Sequence, residues 1–96
     1  MQLEWHRLAR ADRGRIFDCI VTENPRAALG IDERFDAAVA RLRDYPESGR
    51  PGRVEGTREL VVSGTPYVIP YRIDGNRVRL LRILHGAQQW PDQFSS

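Results

Sequence analysis

Asp74-Gly75-Asn76 is the stretch that most constrains what this chain can fold into. Asp-Gly and Gly-Asn supply the positive φ angles that a tight reversal between strands demands, and the flanks on both sides alternate with period two. In "PYVIPYRI" (66–73), Tyr67, Ile69, Tyr71 and Ile73 fall on one face, with Val68, Pro70 and Arg72 on the other. "RVRLLRIL" (77–84) returns alongside it, and "TRELVV" (57–62) precedes it across the turn "SGT". Three antiparallel strands are therefore predicted for the second half. Pro70 has no N–H to give to a ladder, so a bulge or local irregularity is expected beside it.

The first half changes period. "LEWH" (3–6) reads as a short first strand, and from about Leu8 the apolar residues recur at helical spacing. Ile16, Phe17, Ile20 and Val21 form the apolar side of this helix, while Asp12, Arg13, Arg15 and Asp18 fill the polar side. Asn24-Pro25 is an N-cap followed by proline at the first helical position. A second helix runs to about Asp44, with Ala28, Ile31, Phe35, Ala38, Val39 and Leu42 on one face. Gly30 costs this helix about 1 kcal/mol relative to alanine and is expected to permit close helix–helix approach. So short a link makes the two helices antiparallel. "YPESGRPGRVEG" (45–56), with two prolines and three glycines, is expected to hold no regular element. The order β-α-α-β-β-β predicts an α+β fold, one domain over 1–96, in which an N-terminal helical hairpin packs on one face of a mostly antiparallel sheet.

Composition narrows the function. All fifteen basic residues are arginine, and they are unevenly partnered. Residues 1–48 carry eight arginines against nine carboxylates, whereas residues 49–96 carry seven against four. Guanidinium groups suit bidentate contact with carboxylate or phosphate. No apolar run approaches the ~20 residues of a membrane span, and "MQLEWHRLAR" lacks a hydrophobic signal core, so a cytoplasmic location and no membrane contact are expected. His6 and His85 have no ligand-spaced partners, which predicts no metal and no cofactor. "GRPGRVEG" precedes a strand and lacks the Lys-Ser/Thr ending of a phosphate loop. Ser48, Ser63, Ser95 and Ser96 carry no nucleophile-elbow motif. Cys19 is read as a small buried hydrophobe.

One constellation remains. Arg50 and Arg53 in the loop, Arg58 and Arg72 on strands, and Arg82 with His85 at the chain's last strand are expected to converge on one rim. Histidine as general acid or base beside guanidinium groups that neutralise a phosphorane would serve RNA cleavage. The same arginines would equally pair with Glu55, Glu59 or Asp36, as ion-pair networks commonly do. Trp90 either folds back to seal the core edge or anchors a partner.

"NPRAA" (24–28), "LRDYPESGRPG" (42–52), "TREL" (57–60), "PYVIPYRI" (66–73) and "LRILHGAQQWP" (81–91) together resemble the RelE/ParE family of toxins from bacterial type II toxin–antitoxin modules. The resemblance implies the α+β fold above and a cognate antitoxin whose disordered segment folds onto the toxin, with the helical pair and adjacent sheet edge as its expected seat. It also implies one of two activities. RelE-like members are ribosome-dependent mRNA endonucleases; ParE-like members inhibit DNA gyrase without cutting nucleic acid. Here Val68 stands where the nuclease branch carries an arginine, and Gln88 and Gln89 replace its terminal basic or His-Tyr groups. Those departures imply a ParE-like, non-catalytic gyrase binder. Its contacts with target or partner would come from Arg50, Arg53, Arg58, Arg72, Arg82, His85, Gln88 and Trp90. The alternative is an mRNA interferase acting on the ribosome with its mRNA through Arg58, Arg82 and His85.

Overall fold

A computed structural model describes residues 1–94. The chain runs β1 (Gln2–Trp5), α1 (Arg7–Val21), α2 (Pro25–Ala40), a 3-10 turn (Arg41–Arg43), β2 (Arg50–Pro51), β3 (Arg58–Val61), β4 (Tyr67–Asp74), β5 (Arg77–Leu80) and β6 (Leu84–His85). The sheet order is β1-β5-β4-β3-β2, with β6 also on β4. Only the β1–β5 pairing is parallel. The predicted class and layer arrangement hold, with the helical hairpin on one sheet face.

Local chemistry sets the element ends. His6 is the N-cap of α1, its Nδ1 accepting the Leu8 N–H, so the first strand stops one residue earlier than predicted. Asn24 caps α2 by accepting the Ala27 N–H, and Pro25 occupies the first turn as expected. The α-helical geometry ends at Ala40, and Leu42 reaches the core from the 3-10 turn that follows. Gly75 takes φ +60° in the β4–β5 turn, a conformation glycine adopts without steric cost.

One core lies between helices and sheet. Ile16, Phe35, Val39 and Leu42 meet Leu60, Val62, Ile69, Tyr71, Val78, Leu80 and Ile83. Tyr67 and Ile73 pack against that cluster, so the predicted inward face of β4 is the observed one. Tyr71 is fully buried, and its hydroxyl donates to the Pro46 carbonyl at 2.6 Å while accepting the Gly49 N–H at 2.9 Å. The 45–56 segment is thereby tied to the core. A Cβ at Gly49 would lie 2.5 Å from that hydroxyl, which is why the position needs glycine. Tyr71→Phe leaves the Gly49 N–H without its acceptor, and a loss of about 1–3 kcal/mol is expected in urea unfolding. An unchanged midpoint would mean that water replaces the hydroxyl at no cost.

Several sequence expectations need correction. The loop does hold a regular element: Arg50 and Pro51 pair with Glu59 and Arg58 as a two-residue edge strand. Gly30 does not serve helix contact, because a Cβ there would meet nothing within 4 Å. The buried stripe of α1 is Ala9, Asp12 and Ile16, so Asp12 belongs to the inner face and not the polar one. Cys19 is exposed on the shoulder of that stripe, not buried.

The single strand predicted over 77–84 is broken. Tyr71 pairs with Leu80, but Val68 pairs with Leu84, so one extra residue is inserted opposite Pro70. The Pro70 carbonyl accepts the Leu81 N–H at 2.9 Å, and a strand residue's N–H points to the same side as its C=O. Pro70 has no N–H to return, so the ladder fails there and the bulge forms. Arg82 and Ile83 consequently both turn toward the helices.

Candidate functional site

The bulge leaves the Ile83 N–H outside the ladder, and α1 supplies the acceptor. Asp12, 2% exposed, takes the Ile83 N–H at 2.9 Å and Arg82 Nε at 2.7 Å on one oxygen. Its other oxygen takes Arg82 at 3.0 Å and Arg15 at 2.8 Å. Burial pushes the Asp12 carboxyl up, but the hydrogen bonds from Arg82, Ile83 and Arg15 outweigh it and hold the group below its ordinary value. Arg82 is thus a structural clamp joining the first helix to the end of the sheet.

The other predicted site residues divide between the two sheet faces. Cross-strand partners point the same way, so Arg58 opposite Tyr71 and His85 opposite Tyr67 lie on the helix side. Four residues of β4 separate those two positions, roughly 13 Å at strand rise. Arg58 donates to the Glu47 and Gly49 carbonyls at 3.1 and 2.9 Å. His85 is exposed, its Nδ1 accepts the Ala87 N–H at 3.1 Å, and its own N–H donates to Gln88 Oε1 at 2.7 Å. Arg58, Arg82 and His85 therefore do not assemble around one point, and the expected single rim is not formed. His85 and Gln88 instead line an open cleft of about 250 Å³ with Arg15, Cys19 and Tyr67.

Arg50, Arg53, Arg72 and Trp90 gather on the opposite, helix-free face. Glu59, 3% exposed, is shared by Arg50 at 2.9 Å and Arg53 at 3.1 Å, and it also accepts the Arg53 N–H at 2.7 Å. Burial raises the Glu59 carboxyl, yet the contacts from Arg53 and Arg50 bring it net below its ordinary value. The Arg53 guanidinium stacks over the Trp90 ring at 3.6 Å, and the indole N–H donates to the His85 carbonyl at 3.1 Å. The tail does fold back, but onto an arginine instead of the core edge. Of the suggested acidic partners, Glu59 is used; Asp36 pairs with Arg13, and Glu55 makes no ion pair among the described residues.

Sequence reasoning missed Arg77, Arg79 and Glu4, which share this face. Glu4 on β1 binds Arg77 at 3.2 Å and Arg79 at 2.9 Å. The signal was present as alternation in "RVRL", but the parallel β1–β5 pairing that brings Glu4 there is invisible in local sequence. Between the two helices a single arginine serves two carboxylates. Arg13 bridges Asp32 at 2.7 Å and Asp36 at 2.9 Å, and its pKa is raised chiefly by the Asp32 hydrogen bond. Among the described residues no three His, Cys, Asp or Glu side chains form a metal-binding group, and no helix is long and apolar enough to cross a membrane. Ser95 and Ser96 lie outside the described residues.

These features define a small α+β protein with a helical hairpin on one sheet face and arginine–carboxylate clusters on the other. Residues 3–90 match the family described as the ParE toxin of the type II toxin–antitoxin system parDE, and the chain belongs to that family. It is 49% identical over 72 residues to the putative toxin Y4kP of Sinorhizobium fredii, covering 75% of this chain and 74% of that one. It is 39% identical over 87 residues to toxin RelE2 of Caulobacter vibrioides, covering 91% and 97%. Among solved structures, the chromosomal ParDE system from P. aeruginosa aligns with a TM-score of 0.79 at 34% identity, covering 86% of this chain and 92% of that one. The RelBE2 toxin–antitoxin complex from Mycobacterium tuberculosis aligns at 0.60 and 26%, covering 88% and 95%.

Proposed function

We propose that this type II toxin arrests growth by binding DNA gyrase, without cutting nucleic acid, and that a cognate antitoxin neutralises it. The observation that carries this reading is the dispersal of the residues an RNA-cleaving site would need. In-line cleavage requires a proton acceptor, a proton donor and a free cation near one phosphate. Arg82 is held by the buried Asp12, Arg58 is engaged by carbonyls, and Val68 is buried where a nuclease would present a cation. His85 lies roughly 13 Å along β4 from the position of Arg58. The likeness to the ParDE system supports the same branch, and both solved relatives come from toxin–antitoxin systems, which supports an antitoxin partner.

Inducing the full chain without antitoxin provides the test. Growth arrest is expected with inhibited gyrase supercoiling and intact mRNA, and His85→Ala is expected to leave the arrest unchanged. Cleavage of mRNA in a translating extract, abolished by His85→Ala, would overturn the proposal in favour of the interferase. Normal growth would identify a chain that has lost toxicity.

A further inference from the structure

Arg15, Ile16 and Cys19 of α1 share an open cleft of about 250 Å³ with Tyr67 of β4, Ile83, His85 and Gln88. Ile16 and Ile83 are buried and give it an apolar floor, while Arg15, Cys19, His85 and Gln88 are exposed. Its polar groups are turned out as donors. The His85 Nδ1 accepts the Ala87 N–H at 3.1 Å, so the proton of the neutral ring sits on Nε2. Gln88 gives its Oε1 to the His85 N–H at 2.7 Å, which leaves the side-chain NH2. Arg15 commits Nη2 to Asp12 at 2.8 Å and keeps Nε and Nη1 without a partner among the described residues. No carboxylate lines the cleft. Asp12, one turn earlier on α1, is a single negative charge shared by Arg15 and Arg82, and it already accepts four hydrogen bonds. Asp18 and Glu23, the next carboxylates in sequence, make no ion pair with Arg15. Two guanidiniums against one carboxylate leave one net positive charge beside the free donors.

We propose that this cleft receives one carboxylate side chain of the cognate antitoxin, carried on a segment with aliphatic neighbours; the choice of partner rests on the reading proposed above. Arg15 supplies the charge, and the His85 Nε2–H and the Gln88 NH2 supply direction, as charge-assisted hydrogen bonds to a carboxylate require. The floor of Ile16 and Ile83 takes the methylenes and an adjacent aliphatic side chain. Nucleic acid suits the cleft less well. One net charge offsets one phosphate, whereas nucleic-acid affinity at physiological salt accumulates over several. A base would also need an aromatic platform where this floor is aliphatic. An occupant covers Cys19, the only cysteine in the chain, which makes that thiol a reporter of the site.

The test has two arms. In the first, the isotope-labelled full chain is titrated with acetyl-Leu-Glu-Leu-amide and followed by NMR. Saturable shifts of the Gln88 side-chain NH2 and the Arg15 Nε–H are expected, and the peptide with glutamine in place of glutamate should bind about tenfold more weakly. Gln88→Glu keeps an acceptor for the His85 N–H, so the fold is retained, but it sets a like charge against the ligand. A loss of about tenfold is expected there and in Arg15→Gln, whereas Arg77→Ala, on the other sheet face, leaves the affinity unchanged. Equal affinity for the two peptides, no loss in Gln88→Glu, or tighter binding of a uridine dinucleotide than of the glutamate peptide would each overturn the inference. In the second arm, Cys19 is labelled with a maleimide in the co-purified toxin–antitoxin complex. Labelling is expected to be slower than in the free chain and to recover in Gln88→Glu. A stable complex whose Cys19 reacts at the free rate removes the cleft and keeps the antitoxin. Peptide binding by a chain that forms no such complex removes the antitoxin as the occupant.

Discussion

Asp12→Ala is expected to lower the unfolding free energy by about 3–5 kcal/mol, the range for breaking a buried charged pair by removing one partner. Four hydrogen bonds end on this carboxylate, and one comes from a backbone N–H that the Pro70 bulge leaves outside the sheet. Alanine strands the Ile83 N–H and leaves Arg82 to find water from a half-buried position. In a domain of this size each kcal/mol moves the melting temperature by roughly 4–8 °C, so a drop of at least about 12 °C is expected by calorimetry. Asp12→Asn keeps the shape and an acceptor and is expected to lose less. Melting within about 2 °C of the parent would refute the clamp. The acid limb carries the same signature. Asp12 and Glu59 both sit below their ordinary values of 3.8 and 4.5. The unfolded chain therefore binds their protons more readily. Their contribution is complete above those ordinary values and is lost as pH falls through the lower folded ones. Stability is expected to be flat from neutrality to about pH 5 and to decline below about pH 4, more gently in Asp12→Asn.

Phe35→Ala is expected to cost about 3–5 kcal/mol, the range for emptying a buried aromatic site. Phe35 is 1% exposed at the middle of α2 and meets Tyr67 of β4 edge-on at a centroid distance of 5.8 Å. Its ring also lies 5.9 Å beneath the Arg13 guanidinium, so one side chain links both helices to the sheet. Phe35→Leu retains much of the volume and should cost less than half as much. If chemical denaturation gave the two variants equal stability, the packing of the ring would not be what holds the hairpin down.

The elements were legible wherever they depended on neighbours in sequence. The Asn24-Pro25 cap, the Asp74-Gly75-Asn76 turn, the inward set Tyr67, Ile69, Tyr71 and Ile73, and the irregularity at Pro70 all follow from local backbone sterics and alternation. The site was half legible. Arg50, Arg53, Arg72 and Trp90 do share a face, because strand parity and the pairing of Arg50 with Glu59 put them there. His85 parts from Arg72 because one extra residue at the bulge reverses which way the residues after it point. Asp12 was misassigned because a charged residue at helical spacing reads as solvent-facing until a partner 70 residues away is brought to it.

The sequence by itself determined the α+β class, the antiparallel hairpin, the family and an arginine excess in the second half. Only the tertiary structure decided where that excess is free. Whether a guanidinium is spent on a fold or left for a partner depends on which carboxylate the chain carries to it, as β1 carries Glu4 to Arg77 and Arg79. Charges are fixed by residue type, but their pairing is a matter of distance in three dimensions.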